Sequence, residues 1–175
     1  LLSLCAYLAP DGIPLSMFTR ALPDQPELQS LLQAAARPAD ALRPLVRAAQ
    51  KLSLLTLSGS GEAQTVSMHR MVQKAMQARF ESAAGVAEAP RRGAERAVGA
   101  VALLSKLLEA AMPEIEQMMA RTGEAMARFQ RLQPHVVALR KESGRLGGVR
   151  LEVAALLATA GAALYCDGTY GDSRR

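Results

Sequence analysis

Polar and apolar positions change their spacing partway along the stretch 65–80, TVSMHRMVQKAMQARF. Thr65, Val66, Ser67 and Met68 alternate polar with apolar, the period of a half-buried strand. From His69 onward Val72, Ala75 and Met76 recur at helical spacing, while Arg70, Lys74 and Arg79 fall on the opposite face. The pattern predicts a short strand that runs straight into a helix, with a histidine at the joint.

The same reading applied from the N-terminus predicts a set of short helices. Leu1–Leu8 is apolar enough for a buried helix that began upstream, and Pro10-Asp11-Gly12 stops it. Ile13-Pro14-Leu15 then opens a helix through Leu22, with Leu15, Phe18 and Leu22 as its buried face. Pro23-Asp24-Gln25-Pro26 breaks that helix, and Glu27–Ala36 forms another before Pro38. Asp40 is the expected N-cap of a helix whose apolar stripe is Leu42, Leu45, Val46, Ala49 and Leu52, with Pro44 in its first turns. Two β-prone runs, Ser53–Leu57 and Thr65–Met68, flank a Gly/Ser-rich turn and make a hairpin. Helices, a two-stranded hairpin and a closing helix are the layout of a winged helix, here over residues 1–82.

Residues 83–93, rich in Ala, Gly, Pro and Arg, form the expected linker, and a helical connector spans 94–147. Ala94–Ala111 carries Ala97, Val98, Val101, Leu104 and Leu108 on one face. Glu114–Leu132 carries Ile115, Met118, Met119, Met126, Phe129 and Leu132, and Pro134 is placed to start a third helix. Gly144–Gly148 interrupts that helix, and Leu151–Cys166 is the last full one. The end of the chain, GAALYCDGTYGDSRR, is similar to the first helix and turn of a tetratricopeptide repeat through Gly161, Leu164, Gly168 and Tyr170, so 148–175 would begin such a repeat. Ser173 stands where that pattern prefers Ala. The fold class is thus mainly α, a winged helix with a small hairpin followed by repeat-like helices.

Composition narrows the chemistry. Half of the 175 residues are hydrophobic, only 3% are aromatic and none is Trp, so the core rests on Leu, Ala, Val and Met, as packed helices allow. A chain that starts at Leu1 within an apolar run, with no basic leader, reads as a piece of a longer protein. The net charge of +5 is spread along the chain rather than gathered into one block. Cys5 and Cys166 have no CxxC spacing, which fits reduced thiols in the cytoplasm. With two histidines, His69 and His135, no zinc site of ordinary spacing can be assembled. The longest apolar run, Leu151–Tyr165, is too short to span a bilayer and carries Glu152.

In its order of motifs the chain resembles the region after the nucleotide-binding core of NB-ARC-type STAND ATPases that carry tetratricopeptide arrays. Leu4-Cys5-Ala6-Tyr7-Leu8-Ala9-Pro10-Asp11 with Ile13-Pro14-Leu15 looks like the start of that family's winged helix. Met68-His69-Arg70-Met71-Val72-Gln73 is similar to its histidine motif. Ala94-Glu95-Arg96-Ala97-Val98 and Leu132-Gln133-Pro134-His135 resemble segments between the winged helix and the repeats, whereas Pro113–Phe129 looks like an addition. The resemblance implies that His69 reaches the β-phosphate of ADP and helps hold the protein closed. Arg70 replaces the acidic residue of the plant-type motif. The ADP or ATP would belong to the parent protein, since no GxxxxGK[ST] loop occurs in these residues and none of them is expected to bind a cofactor alone.

The expected partners are the nucleotide-binding domain of the same chain and proteins that dock on helical repeats, with no membrane contact. A second reading is DNA binding through Arg43, Arg47 and Lys51, spaced i, i+4 and i+8 on the helix before the hairpin. Against it, that helix offers few Asn or Gln to read bases, and 58–63 holds no Arg or Lys for phosphates. Enzymatic chemistry is not expected: two isolated histidines and no nucleophile–base pair leave no catalytic residue to name. His135 is taken as structural.

Overall fold

A computed structural model of the chain describes residues 1–20, 39–82, 89–120, 122–147 and 151–167. The predicted helix Glu27–Ala36, the break at 23–26 and the end of the repeat signature at 168–175 lie outside the described residues. What is described is mainly helical, with one small antiparallel sheet. In chain order the elements are α1 (Leu2–Cys5), β1 (Ile13–Pro14), α2 (Leu15–Arg20), α3 (Ala39–Lys51), β2 (Thr56–Ser58), β3 (Thr65–Ser67) and α4 (Arg70–Ser82). Then follow α5 (Ala89–Ala111), α6 (Ile115–Met119), α7 (Gly123–Arg145) and α8 (Leu151–Asp167).

Strand β3 lies at the centre of the sheet, between β1 and β2. Val66 faces Ile13 on one side and Leu57 on the other. The hairpin is as expected, but its third strand replaces the predicted start of a helix at Ile13. Gly12, at φ +71°, turns the chain, and Ile13 precedes a proline, which pushes its backbone out of the helical region. Pro14 is tolerated because β1 is an edge strand. In the turn between β2 and β3, Gly59 has φ +74°, and a Cβ there would collide with the Ala63 carbonyl. The described residues thus place helices before the hairpin and one after it.

Helix α3 starts at Ala39, so Asp40 sits within its first turn rather than at its cap. Its buried stripe is Leu42, Val46 and Ala49, narrower than predicted: Leu45 is 41% exposed and Leu52 70%. Leu45 lies to one side of that stripe, and Leu52 falls past the helix end, beside Ser53 at φ 56°.

Further corrections concern the C-terminal helices. The predicted helix 114–132 is two helices, because Thr122 starts α7 anew: its Oγ1 accepts the Ala125 N–H at 3.4 Å. Ile115 and Met119, expected in the core, are exposed, whereas Met118, Phe129 and Leu132 are buried. Pro134 does not start a helix; it lies inside α7 on the exposed side. The bond its missing N–H forfeits is the one to the Gln130 carbonyl, and Gln130 is also on the exposed side, where water can serve that carbonyl. Leu132, His135, Val136 and Leu139 keep the opposite face anchored. The helix continues through Gly144 to Arg145, and the chain turns at Gly147, φ +99°.

Helix α5 joins the two halves of the core. It packs on α1, α2 and α4 as well as on α7 and α8. Gly93, read from sequence as linker, is helical and lies where α5 approaches the end of α4; a Cβ there would overlap the Glu81 carbonyl oxygen. Gly99 on the same helix has open space around it. Gly93→Ala should therefore lower stability by about 1–3 kcal/mol through forced separation of α4 and α5. Gly99→Ala should raise it by about 0.5–1 kcal/mol through helix propensity. Urea unfolding of both variants checks the contrast.

Candidate functional site

The joint between β3 and α4 is built from backbone outward. Met68, the residue after β3, is buried, and its N–H donates to the Pro10 carbonyl at 2.7 Å. Gly12 N–H donates to Ser67 Oγ at 3.3 Å, so the Ser67 hydroxyl is engaged by the turn rather than by His69. With its predecessors pinned in this way, His69 stands at the point where the chain becomes helical. Its carbonyl accepts the Gln73 N–H at 3.0 Å, and its Nδ1 accepts the Met71 N–H at 3.2 Å. His69 is thus the N-cap of α4. With Nδ1 accepting, the proton of the neutral ring sits on Nε2, and the ring is exposed. The arrangement offers a ring N–H donor beside the positive end of a thirteen-residue helix.

Helix α4 is held by polar contacts that hydrophobic spacing did not reveal. Gln73, placed on the core side, is buried, and its Nε2 donates to the carbonyls of Cys5 at 3.1 Å and Leu8 at 3.0 Å. Gln77 Nε2 donates to the Ala6 carbonyl at 2.8 Å. These carbonyls lie at and just beyond the end of a helix of only four residues, where the helix itself supplies few donors; Cys5 also accepts the Leu8 N–H at 3.3 Å. Gln73 and Gln77 are four apart, on the face that also carries Val72, Met76 and Phe80, a spacing that places them together but does not name their acceptors.

At the far end of α4, Arg145 of α7 grips the Glu81 carboxylate with both terminal nitrogens, Nη1 donating to Oε2 at 3.1 Å, and donates from Nε to Glu142 at 2.7 Å. Tyr7 OH donates to Glu81 Oε1 at 3.2 Å, and its ring meets Phe80 edge-on, 6.3 Å between centroids. The bond from Arg145 holds the Glu81 carboxyl below the usual carboxylate range. Burial, followed by the Glu81 charge, pushes the Tyr7 phenol up.

Other residues singled out from sequence lie apart from His69. Arg43, Arg47 and Lys51 are all exposed on α3. Cys5 is a free, buried thiol pushed up to about 12 by desolvation, which leaves it unreactive. His135 is buried in mid-helix, and its Nε2 lies 3.2 Å from the Gly12 carbonyl, to which it donates. A cleft of about 180 Å³ opens between the sheet and α7, lined by Pro14, Met17, Thr65, Arg131 and Leu132 among others, and does not include His69. Among the described residues there is no cluster of three or more His, Cys, Asp or Glu that could hold a metal ion. Nor is any helix among them long and apolar enough to cross a membrane.

A family model described as a domain of unknown function, DUF7779, matches residues 1–84. The match ends two residues after α4 does. Comparison with curated proteins and with solved structures finds no match.

Removing the Gln73 amide would take the donor from the Leu8 carbonyl and leave the Cys5 carbonyl with only the Leu8 N–H, at 3.3 Å. Gln73→Ala should cost about 1–3 kcal/mol, and Gln73→Glu at least as much because a carboxylate cannot donate to a carbonyl. Denaturant unfolding, with hydrogen exchange of residues 2–8, measures both.

Proposed function

We propose that this chain is the regulatory and protein-interaction segment of a STAND-type signalling ATPase acting in the cytoplasm. Its winged helix closes on an ADP-bound nucleotide domain of the same polypeptide, and the helices after it contact protein partners. The observation that carries this reading is the geometry of His69. Its ring is oriented by the Met71 N–H and exposed, with Nε2 left to donate, at the start of α4. A donor of this kind next to a helix N-terminus suits a phosphate oxygen. It would make the closed form depend on the nucleotide, because only that form brings the ring and the phosphate together. Exposed apolar side chains on the later helices, Met119 at 67% and Leu151 at 83%, suit protein contact.

The test uses the intact protein that carries these residues. ADP should copurify with it, and His69→Ala should bind ADP about 10- to 100-fold more weakly, the loss of one hydrogen bond to a charged group. Equal ADP retention by the variant, measured by nucleotide release and equilibrium titration, would rule the role out.

A second reading, a DNA-binding winged helix, has one observation in its favour: Arg43, Arg47 and Lys51 are exposed together on the helix before the hairpin. If it holds, duplex DNA should bind, and affinity should fall steeply between about 50 and 200 mM salt. Arg47→Ala should then weaken binding to all duplex sequences alike. Fluorescence anisotropy with labelled duplexes decides it.

A further inference from the structure

We propose that the seat of α7 on the Pro10–Gly12 turn is an acid-released latch, with His135 as its trigger. His135 is fully buried, and its single bond crosses from α7 to the Gly12 carbonyl, 123 positions away in the chain. With Nε2–H committed to that carbonyl, Nδ1 is the unprotonated nitrogen of the ring. Nδ1 is buried and has no hydrogen-bond partner. In the neutral ring this costs an unused lone pair. Once protonated, the ring would hold both a buried charge and a buried N–H without an acceptor, which is far less favourable.

The turn it grips is the one that fixes the end of β3. Pro10 accepts the Met68 N–H and Gly12 donates to Ser67. The joint therefore lies between the part matched by the family model and the helices beyond it.

Among the described residues no charge offsets protonation. The shift of His135 below the ordinary histidine value comes from burial, opposed only by the Gly12 carbonyl. Asp11 in the turn, Lys106 and Glu109 on α5, Glu116 on α6, Arg128 and Arg131 on α7 and Glu152 on α8 are not among its causes. Strands β1 and β3 contribute no titratable side chain.

The direction follows by linkage. Above about pH 6.5 the imidazole is neutral whether docked or released, and the latch is at full strength. As the pH falls through that value, a released imidazole takes up a proton and the docked one does not. Docking weakens until the lowered value of the buried ring is reached. The Arg145–Glu81 clamp at the other end of α7 depends on a carboxylate whose own value is lowered, so it fails only at more acid pH.

The experiment is nitrogen NMR of the imidazoles in the full chain, with hydrogen exchange of α7 and of residues 10–14 between about pH 7.5 and 5.5. The expected result is an Nε2–H tautomer for His135 that titrates below the ordinary value. Exchange in both segments, corrected for intrinsic rates, should rise together as pH falls, by up to about tenfold per pH unit for one proton. His135→Gln, which keeps a neutral donor, should abolish that dependence, and Glu81→Gln should keep it. The proposal is overturned if His135 titrates at or above about 6.5, if protection of α7 does not change in this window, or if His135→Gln retains the wild-type pH response. Should His135→Gln fail to fold, the wild-type titration and exchange still decide the matter.

Discussion

Helix α5 buries most of its second half, and the rest of the structure is arranged around it. Ala100, Val101, Leu103, Leu104, Ser105, Leu107 and Leu108 are all buried. A helix with so broad an apolar face must be covered from more than one side, with Lys106 and Glu109 left on the remaining strip. The first half of the chain supplies α1, α2 and α4 for one side, and the later helices α7 and α8 cover the other. Ser105 tolerates full burial because its Oγ donates back to the Val101 carbonyl at 2.9 Å. A single hydrophobic core results, running from Leu4 to Ala163.

The two histidines show how surroundings assign a role to one residue type. His69 ends a strand in solvent, and its side chain satisfies a helix N–H. His135 sits in mid-helix within the core and ties that helix to a turn far away in sequence. Neither role follows from spacing along the chain. The first depends on where β3 is forced to end, the second on where α7 meets the sheet.

Much of the fold was legible because it is local. The strand-to-helix change at His69, the hairpin and the apolar face of α5 follow from period alone. Sequence reasoning failed where a tertiary contact overrode a local signal. Ile13 and Pro14 were read as the start of a helix, yet an edge position beside β3 was open to them. Pro134 was read as a helix start, but burial of its neighbours carried the helix across it. Gly93 looked like linker composition and proved to be a close approach between two helices. Of the candidate site, the place of His69 at the joint was legible, and its capping bond to the Met71 N–H was not. The amide contacts of Gln73 and Gln77 were not, since they depend on α1 lying alongside α4.

Those amide contacts divide the evolutionary freedom of the two helices unequally. Gln73 and Gln77 recognise main-chain oxygens of residues 5, 6 and 8, which every amino acid possesses. The polar half of the seam is therefore indifferent to which side chains α1 carries, and only shape limits them. The chemical specificity of these amide contacts resides in two glutamines on α4, and Tyr7 adds one side-chain bond of its own, to Glu81. A change of side chain at residues 5, 6 or 8 leaves these three acceptors in place, whereas loss of either glutamine from the thirteen-residue helix removes a donor.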